Sequence, residues 1–190
     1  MLRALAPATA AVMLAGCGIN SVPTAEENAK ARWADVQAAY QRRADLVPNL
    51  VATVKGAAAS EERILTNVTN ARARATQVQV SPDQLTDPAR VQQFAAAQSA
   101  LSLALRPLQE AYPQLQSQAN FGTLLQQLEG TENRINIAVR DYNSAVQEYN
   151  TRIRTFPDAI GARVIHGAKP LTPFQAVTPG ADRAPQVSFD

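Results

Sequence analysis

Between Phe121 and Phe156, apolar residues recur at alternating spacings of four and three: Phe121, Leu125, Leu128, Ile135, Val139, Tyr142, Val146, Tyr149, Ile153 and Phe156. That rhythm places them on one stripe of a helix, and the two-residue period of a strand does not reproduce it. The spacing predicts a helix from Pro113 to Phe156, about 43 residues and roughly 64 Å long. A single helix cannot bury such a stripe against itself, so the rest of the chain has to supply partner helices. The one gap in the repeat is Glu132, a carboxylate where the pattern calls for an apolar residue.

The partners are legible upstream. Thr24 and Glu27 have capping-box spacing, which predicts a helix beginning near Ala25. Its seam carries Trp33, Val36, Tyr40, Val47, Leu50 and Val54, with Arg43 on an apolar position. Two breaks fit the end of this helix. Pro48 removes a backbone donor and kinks or ends it; Gly56 to Ser60 offers a glycine for a left-handed C-cap and a serine N-cap ahead of Glu61 and Glu62. A second helix is expected to run to about Val78 on Ile64, Val68, Ala71 and Ala75. Ser81 to Pro88 reads as a connection. Asp87 and Pro88 then start a third helix, with the stripe Val91, Phe94, Leu101, Leu105, Leu108 and Tyr112 and a kink at Pro107.

Composition agrees: 46% of residues are hydrophobic but only 5% aromatic, which favours packed helices over a β-sandwich. The expectation is an all-α, antiparallel up-down four-helix bundle over residues 25–156, with coiled-coil-like seams and a long last helix. Five prolines between 157 and 190 predict an irregular tail, in which Ala159 to Ile165 forms a short apolar turn against the bundle.

The N-terminus reads differently. Arg3 precedes a short apolar stretch from Ala4 to Ala15, too short for a spanning helix, and the sequence Leu14-Ala15-Gly16-Cys17 follows. This is the pattern of a lipoprotein signal. Residues 1–16 are expected to be removed, Cys17 to carry the lipid, and residues 17–24 to form an anchor and tether. Two or three acyl chains give stable membrane attachment where one gives only marginal binding. The placement implied is a bacterial cell envelope, facing the periplasm or the exterior. Gly18 is not an aspartate retention signal, so an outer membrane is favoured where two exist.

In Gly18-Ile19-Asn20, Arg42 through Val51 with Thr53 to Gly56, Leu128 through Ile135, Tyr142-Asn143, Tyr149-Asn150 and Phe156-Pro157, the chain resembles the LemA family of bacterial envelope proteins. Pro173-Phe174 and Ala184 to Phe189 match more loosely. The resemblance implies a four-helix bundle behind an N-terminal anchor, and it brings no reaction with it. Pro107 stands where the family pattern is ordinary helix, and Ser60 where many members carry histidine.

The chemistry-bearing residues are sparse. His166 is the single histidine and lies in the tail; no cluster of ligands at metal spacing accompanies it. No serine sits in a nucleophile elbow, and there is no phosphate-binding glycine loop. A net charge of +2 without a concentrated basic stripe argues against nucleic acid. No cofactor, metal or catalytic residue is expected.

What remains is a structural site. Antiparallel first and last helices, aligned with Gly56 near Gln114, set Arg43 opposite Gln127, with Glu129 about 3 Å and Glu132 about 8 Å further along. Arg43 is therefore expected to pair with Glu129 or Glu132 in a buried polar layer. An unpaired charge on an apolar seam would be costly. The function expected is that of a membrane-anchored scaffold or adaptor for another envelope protein. A binding module for a lipid or cell-wall component is the alternative, and an enzyme of unrecognised type the third.

Overall fold

A computed structural model describes residues 5–57, 62–110 and 119–175, with side chains from Asn20 onward. Within them the chain is all-helical: α1 (Leu5–Ala57), α2 (Glu62–Gln77), a 3-10 turn (Pro82–Thr86), α3 (Pro88–Glu110), α4 (Ala119–Arg152) and α5 (Asp158–Val164). No strand occurs among the described residues.

Two compact units divide these elements. The first comprises α1 up to Ala39, Ser81–Pro88 and Asn133–Pro173. Its core sets Val22, Ala29, Trp33 and Val36 of α1 beside Ile135, Tyr142, Val146 and Tyr149 of α4, with Leu85 and Leu171 also buried. The Trp33 and Tyr142 rings lie 5.1 Å apart, tilted. The second unit comprises Tyr40–Val80, Ala89–Glu132 and the chain from Phe174. One apolar cluster there joins Val47, Leu50 and Val54 of α1, Leu65 and Val68 of α2, Leu101, Leu105 and Leu108 of α3, and Phe121 and Leu128 of α4. Tyr40, Phe94 and Phe174 form an aromatic triangle beside it, with centroids 5.5, 5.9 and 6.3 Å apart.

Several expected boundaries move. The first helix does not begin near Ala25: α1 is already helical from Leu5, and Thr24 is no N-cap, because its hydroxyl donates to the Asn20 carbonyl within the helix. Nor is 17–24 a loose tether, since Val22 is buried and continues the seam through Ala25, Ala29 and Trp33.

α1 also passes through Pro48 without ending. Proline has no N–H, so the Ala44 carbonyl loses its usual partner four residues on. Arg72 of α2 replaces that partner, its Nε donating to the Ala44 oxygen at 2.8 Å. α1 ends at Ala57; Gly56 stays helical and takes no left-handed conformation. The proposed cap at Ser60 lies outside the described residues, as does Tyr112. α3 continues past Pro107 to Glu110.

The last long helix is shorter at its C-terminal end than the repeat implies. α4 ends at Arg152, and Phe156 is off the seam and 74% exposed. Pro157 accounts for this, because the residue before a proline is pushed away from helical geometry. Between 158 and 168 the chain is more regular than the expected tail. α5 forms, and Gly167, at φ +56°, reverses the chain so that the Ala168 N–H donates to the Ala162 carbonyl.

Candidate functional site

The seam of α1 carries Arg43 into the second unit, where its side chain is 1% exposed. A buried guanidinium is tolerable only if its donors are satisfied. Nη1 donates to Ser102 Oγ and to Glu132 Oε1, the latter at 2.9 Å. Nη2 donates to the carbonyl and the side-chain oxygen of Gln98, at 2.8 and 3.1 Å. Gln98 in turn donates through Nε2 to the Ala75 carbonyl at 3.0 Å. The network thus draws on α1 (Arg43), α2 (Ala75), α3 (Gln98, Ser102) and α4 (Glu132). Among the described residues, Arg43 Nε is buried without a hydrogen-bond partner. The Tyr40 ring, its centroid 4.9 Å from the guanidinium carbon, covers the cation with its π face.

Of the two expected carboxylates, the structure brings Glu132 to Arg43 and leaves Glu129 exposed. The Glu132 side chain is 42% exposed, so the pair is buried at the arginine and wet at the glutamate. Glu129, Glu132 and Ser102 border an open cleft of about 540 Å³, completed by Leu105, Arg106, Leu125 and Leu128.

Burial pushes the Tyr40 hydroxyl up to about 12, against the opposing pull of Arg43 and with a smaller push from Glu132. Tyr40 therefore stays neutral near pH 7. Ser102 receives a hydrogen bond from a cation, the reverse of the contact a nucleophilic serine needs from a base. Among the described residues, no three His, Cys, Asp or Glu side chains come together to hold a metal. His166 is exposed beyond the end of α5.

A second built feature lies in the first unit, where α4 fastens the extended segment after α5. Tyr142 donates to the Thr172 carbonyl and Tyr149 to the Lys169 carbonyl. Asn150 clasps Leu171 twice: Nδ2 donates to its carbonyl at 2.8 Å, and Oδ1 accepts from its N–H at 2.9 Å. Thr172 N–H donates to the Leu85 carbonyl. Tyr142, Tyr149 and Asn150 of α4 are thus docking groups, and the two tyrosines are core residues as well.

A model of the LemA family matches residues 32–189. The chain belongs to the LemA family. The LemA match includes all of the Arg43 network and the whole Tyr142–Tyr149–Asn150 clasp, so both are features of the family region of this chain. Cys17 precedes the matched segment; it falls within α1, and its side chain lies outside the described residues. Among curated proteins, no match to the chain is found.

Sequence reasoning missed Gln98 and Ser102. Gln98 left a signal: the α3 stripe runs Phe94, Leu101, Leu105, with a seven-residue gap that a buried residue at 98 fills. Ser102 left none, because a small hydroxyl beside a seam reads as surface.

Proposed function

We propose that this LemA chain is a lipid-anchored, antiparallel up-down four-helix bundle that acts as a non-enzymatic scaffold or adaptor for another envelope protein. The observation that carries the reading is the continuity of α1. Its seam enters the core at Val22, five residues or about 8 Å of helix beyond Cys17. A body joined to its anchor without a flexible linker presents its flanks at a fixed height and orientation. That is what a scaffold requires and a diffusing binder does not. No helix among the described residues is long and apolar enough to cross a membrane; the reading assigns attachment to acyl chains on Cys17, with the outer membrane favoured where there are two. The Arg43 network supports the bundle arrangement, because one guanidinium carried by α1 and donating to both α3 and α4 fixes their register.

The alternative, a module that binds a lipid or cell-wall component, is favoured by the cleft between Ser102 and Glu132, which combines leucines with charged groups. Cross-linking in intact cells followed by purification separates the two. A scaffold returns a defined protein partner, lost or redistributed in Cys17→Ser; a lipid or glycan adduct supports the alternative. Equal palmitate incorporation by the wild-type and Cys17→Ser chains would remove the lipid anchor from the reading.

A further inference from the structure

Most large apolar side chains among the described residues are buried; of the exposed ones, Leu103 (40%) and Ile137 (44%) stand singly, and the four most exposed gather in one short stretch. Phe156 is 74% exposed, Ile160 59%, Val164 78% and Ile165 57%. Phe156, Ile160 and Val164 recur every four residues, and α5 buries only Gly161 and Ala162, turning its bulkiest residues outward. Such grouping goes beyond the scattered apolar exposure normal on a protein surface.

Charge is concentrated in the same place. Residues 152–169 hold Arg152, Arg154, Arg163 and Lys169 against the single carboxylate of Asp158, a local net of +3 where the whole chain nets +2. Arg152 is engaged, with Glu148 at 2.8 Å and Asp158 at 3.7 Å. Arg154, Arg163 and Lys169 are exposed, with no carboxylate at ion-pair distance among the described residues. A short helix with a bulky apolar face and free cations beside it is the composition of an interfacial membrane segment. The stretch also shares its compact unit with the N-terminal part of α1. The adjoining end of α4 is close enough to that part for Glu26 and Lys30 to act electrostatically on Tyr149.

We infer that the face formed by Phe156, Ile160, Val164 and Ile165, with Arg154, Arg163 and Lys169, docks on an anionic phospholipid surface. This second contact is separate from any acyl chain. It lays the α5 end of the first unit on the bilayer, and it goes beyond the scaffold reading without requiring it. The apolar side chains enter the boundary between headgroups and acyl tails while the cations meet lipid phosphates.

The test uses the full chain as Cys17→Ser, which removes acylation, in sedimentation with phosphatidylglycerol or phosphatidylcholine vesicles. Binding to the anionic vesicles is expected, weakening with salt. Arg163→Gln with Lys169→Gln lowers the partition coefficient about 25-fold, at about fivefold per cation. Ile160→Ser with Val164→Ser lowers it on the order of tenfold or more. All four side chains are exposed, so circular dichroism should be unchanged. The chain's only cysteine being replaced, Ile160→Cys takes a polarity-sensitive fluorophore that should shift to the blue on anionic vesicles, while one at Gln126→Cys should not. Binding that ignores these substitutions belongs to residues 1–16 and overturns the proposal. So does absence of binding to phosphatidylglycerol, or a dimer in solution that Val164→Ser abolishes, since the face would then be occupied by a second copy.

Discussion

Removing Glu132 should destabilise this protein more than removing Arg43, although they are partners in one ion pair. With Glu132→Leu, the guanidinium stays buried and keeps Gln98 and Ser102 but loses its one counter-charge among the described residues. Breaking a fully buried pair costs about 3–5 kcal/mol. The 42% exposure of Glu132 screens its share, which brings the expected loss to about 2–3 kcal/mol. With Arg43→Met, Glu132 turns to water at little cost. Gln98 still donates to Ala75, and the unpaired oxygens of Gln98 and Ser102 cost about 1–2 kcal/mol. The double change should cost no more than Arg43→Met alone, a coupling of about 2–3 kcal/mol. Urea unfolding of the chain beginning at Ser21, followed by circular dichroism, measures all three, with Glu129→Leu as an uncoupled control. Additive effects, or an Arg43→Met loss exceeding that of Glu132→Leu, would refute the reasoning, because it rests on the arginine being the buried partner.

Arg72→Met should cost about 1.5–3 kcal/mol by stripping the Ala44 carbonyl of its charged donor, and Pro48→Ala should erase most of that cost by restoring a helical N–H; urea unfolding of the two single variants and the double decides it. Asn150→Ala should cost about 1–3 kcal/mol and release the segment around Leu171, seen as faster amide exchange and proteolysis there while α1 remains protected. Alkali should unfold the protein through its buried tyrosines. Tyr40 is raised from 10.0 to about 12, and Tyr142 and Tyr149 are also raised, all chiefly by burial. The unfolded chain therefore loses these protons first. Their contribution is intact below pH 10 and is lost as pH rises through about 12, a course followed by tyrosinate absorbance and circular dichroism.

The stripes of the long helices, and the two charges interrupting them, were legible because helical periodicity exposes any residue that breaks it. Arg43 and Glu132 were such breaks, and helix rise alone brought them within reach of each other. The choice between Glu129 and Glu132 was not legible, since it depends on a rotation of α4 that spacing along its axis leaves open. Pro48 was read for what it removes; which side chain would meet the freed carbonyl depends on the packing of α2, which a local pattern does not contain. At the N-terminus, Val22, Ala25 and Ala29 continue the repeat, but Pro23 and the apparent capping box at Thr24 and Glu27 suggested a start. Phe156 misled in the opposite sense: it keeps the rhythm after Pro157 has made helix unfavourable. The tail prolines suited an extended segment whose partners, Tyr142, Tyr149 and Asn150, had already been counted as helix and core.

That clasp has a consequence for the order in which the molecule matures. A chain delivered N-terminus first exposes the receiving groups of α4 well before Lys169 to Thr172 exist to fill them. The first unit is closed by residues that arrive after all of its long helices, and Phe174 completes the aromatic triangle of the second later still. A chain that stops at Ala168 keeps every long helix among the described residues yet lacks the acceptors of the Tyr142 and Tyr149 hydroxyls, the partner of Asn150 and the third ring of the aromatic triangle.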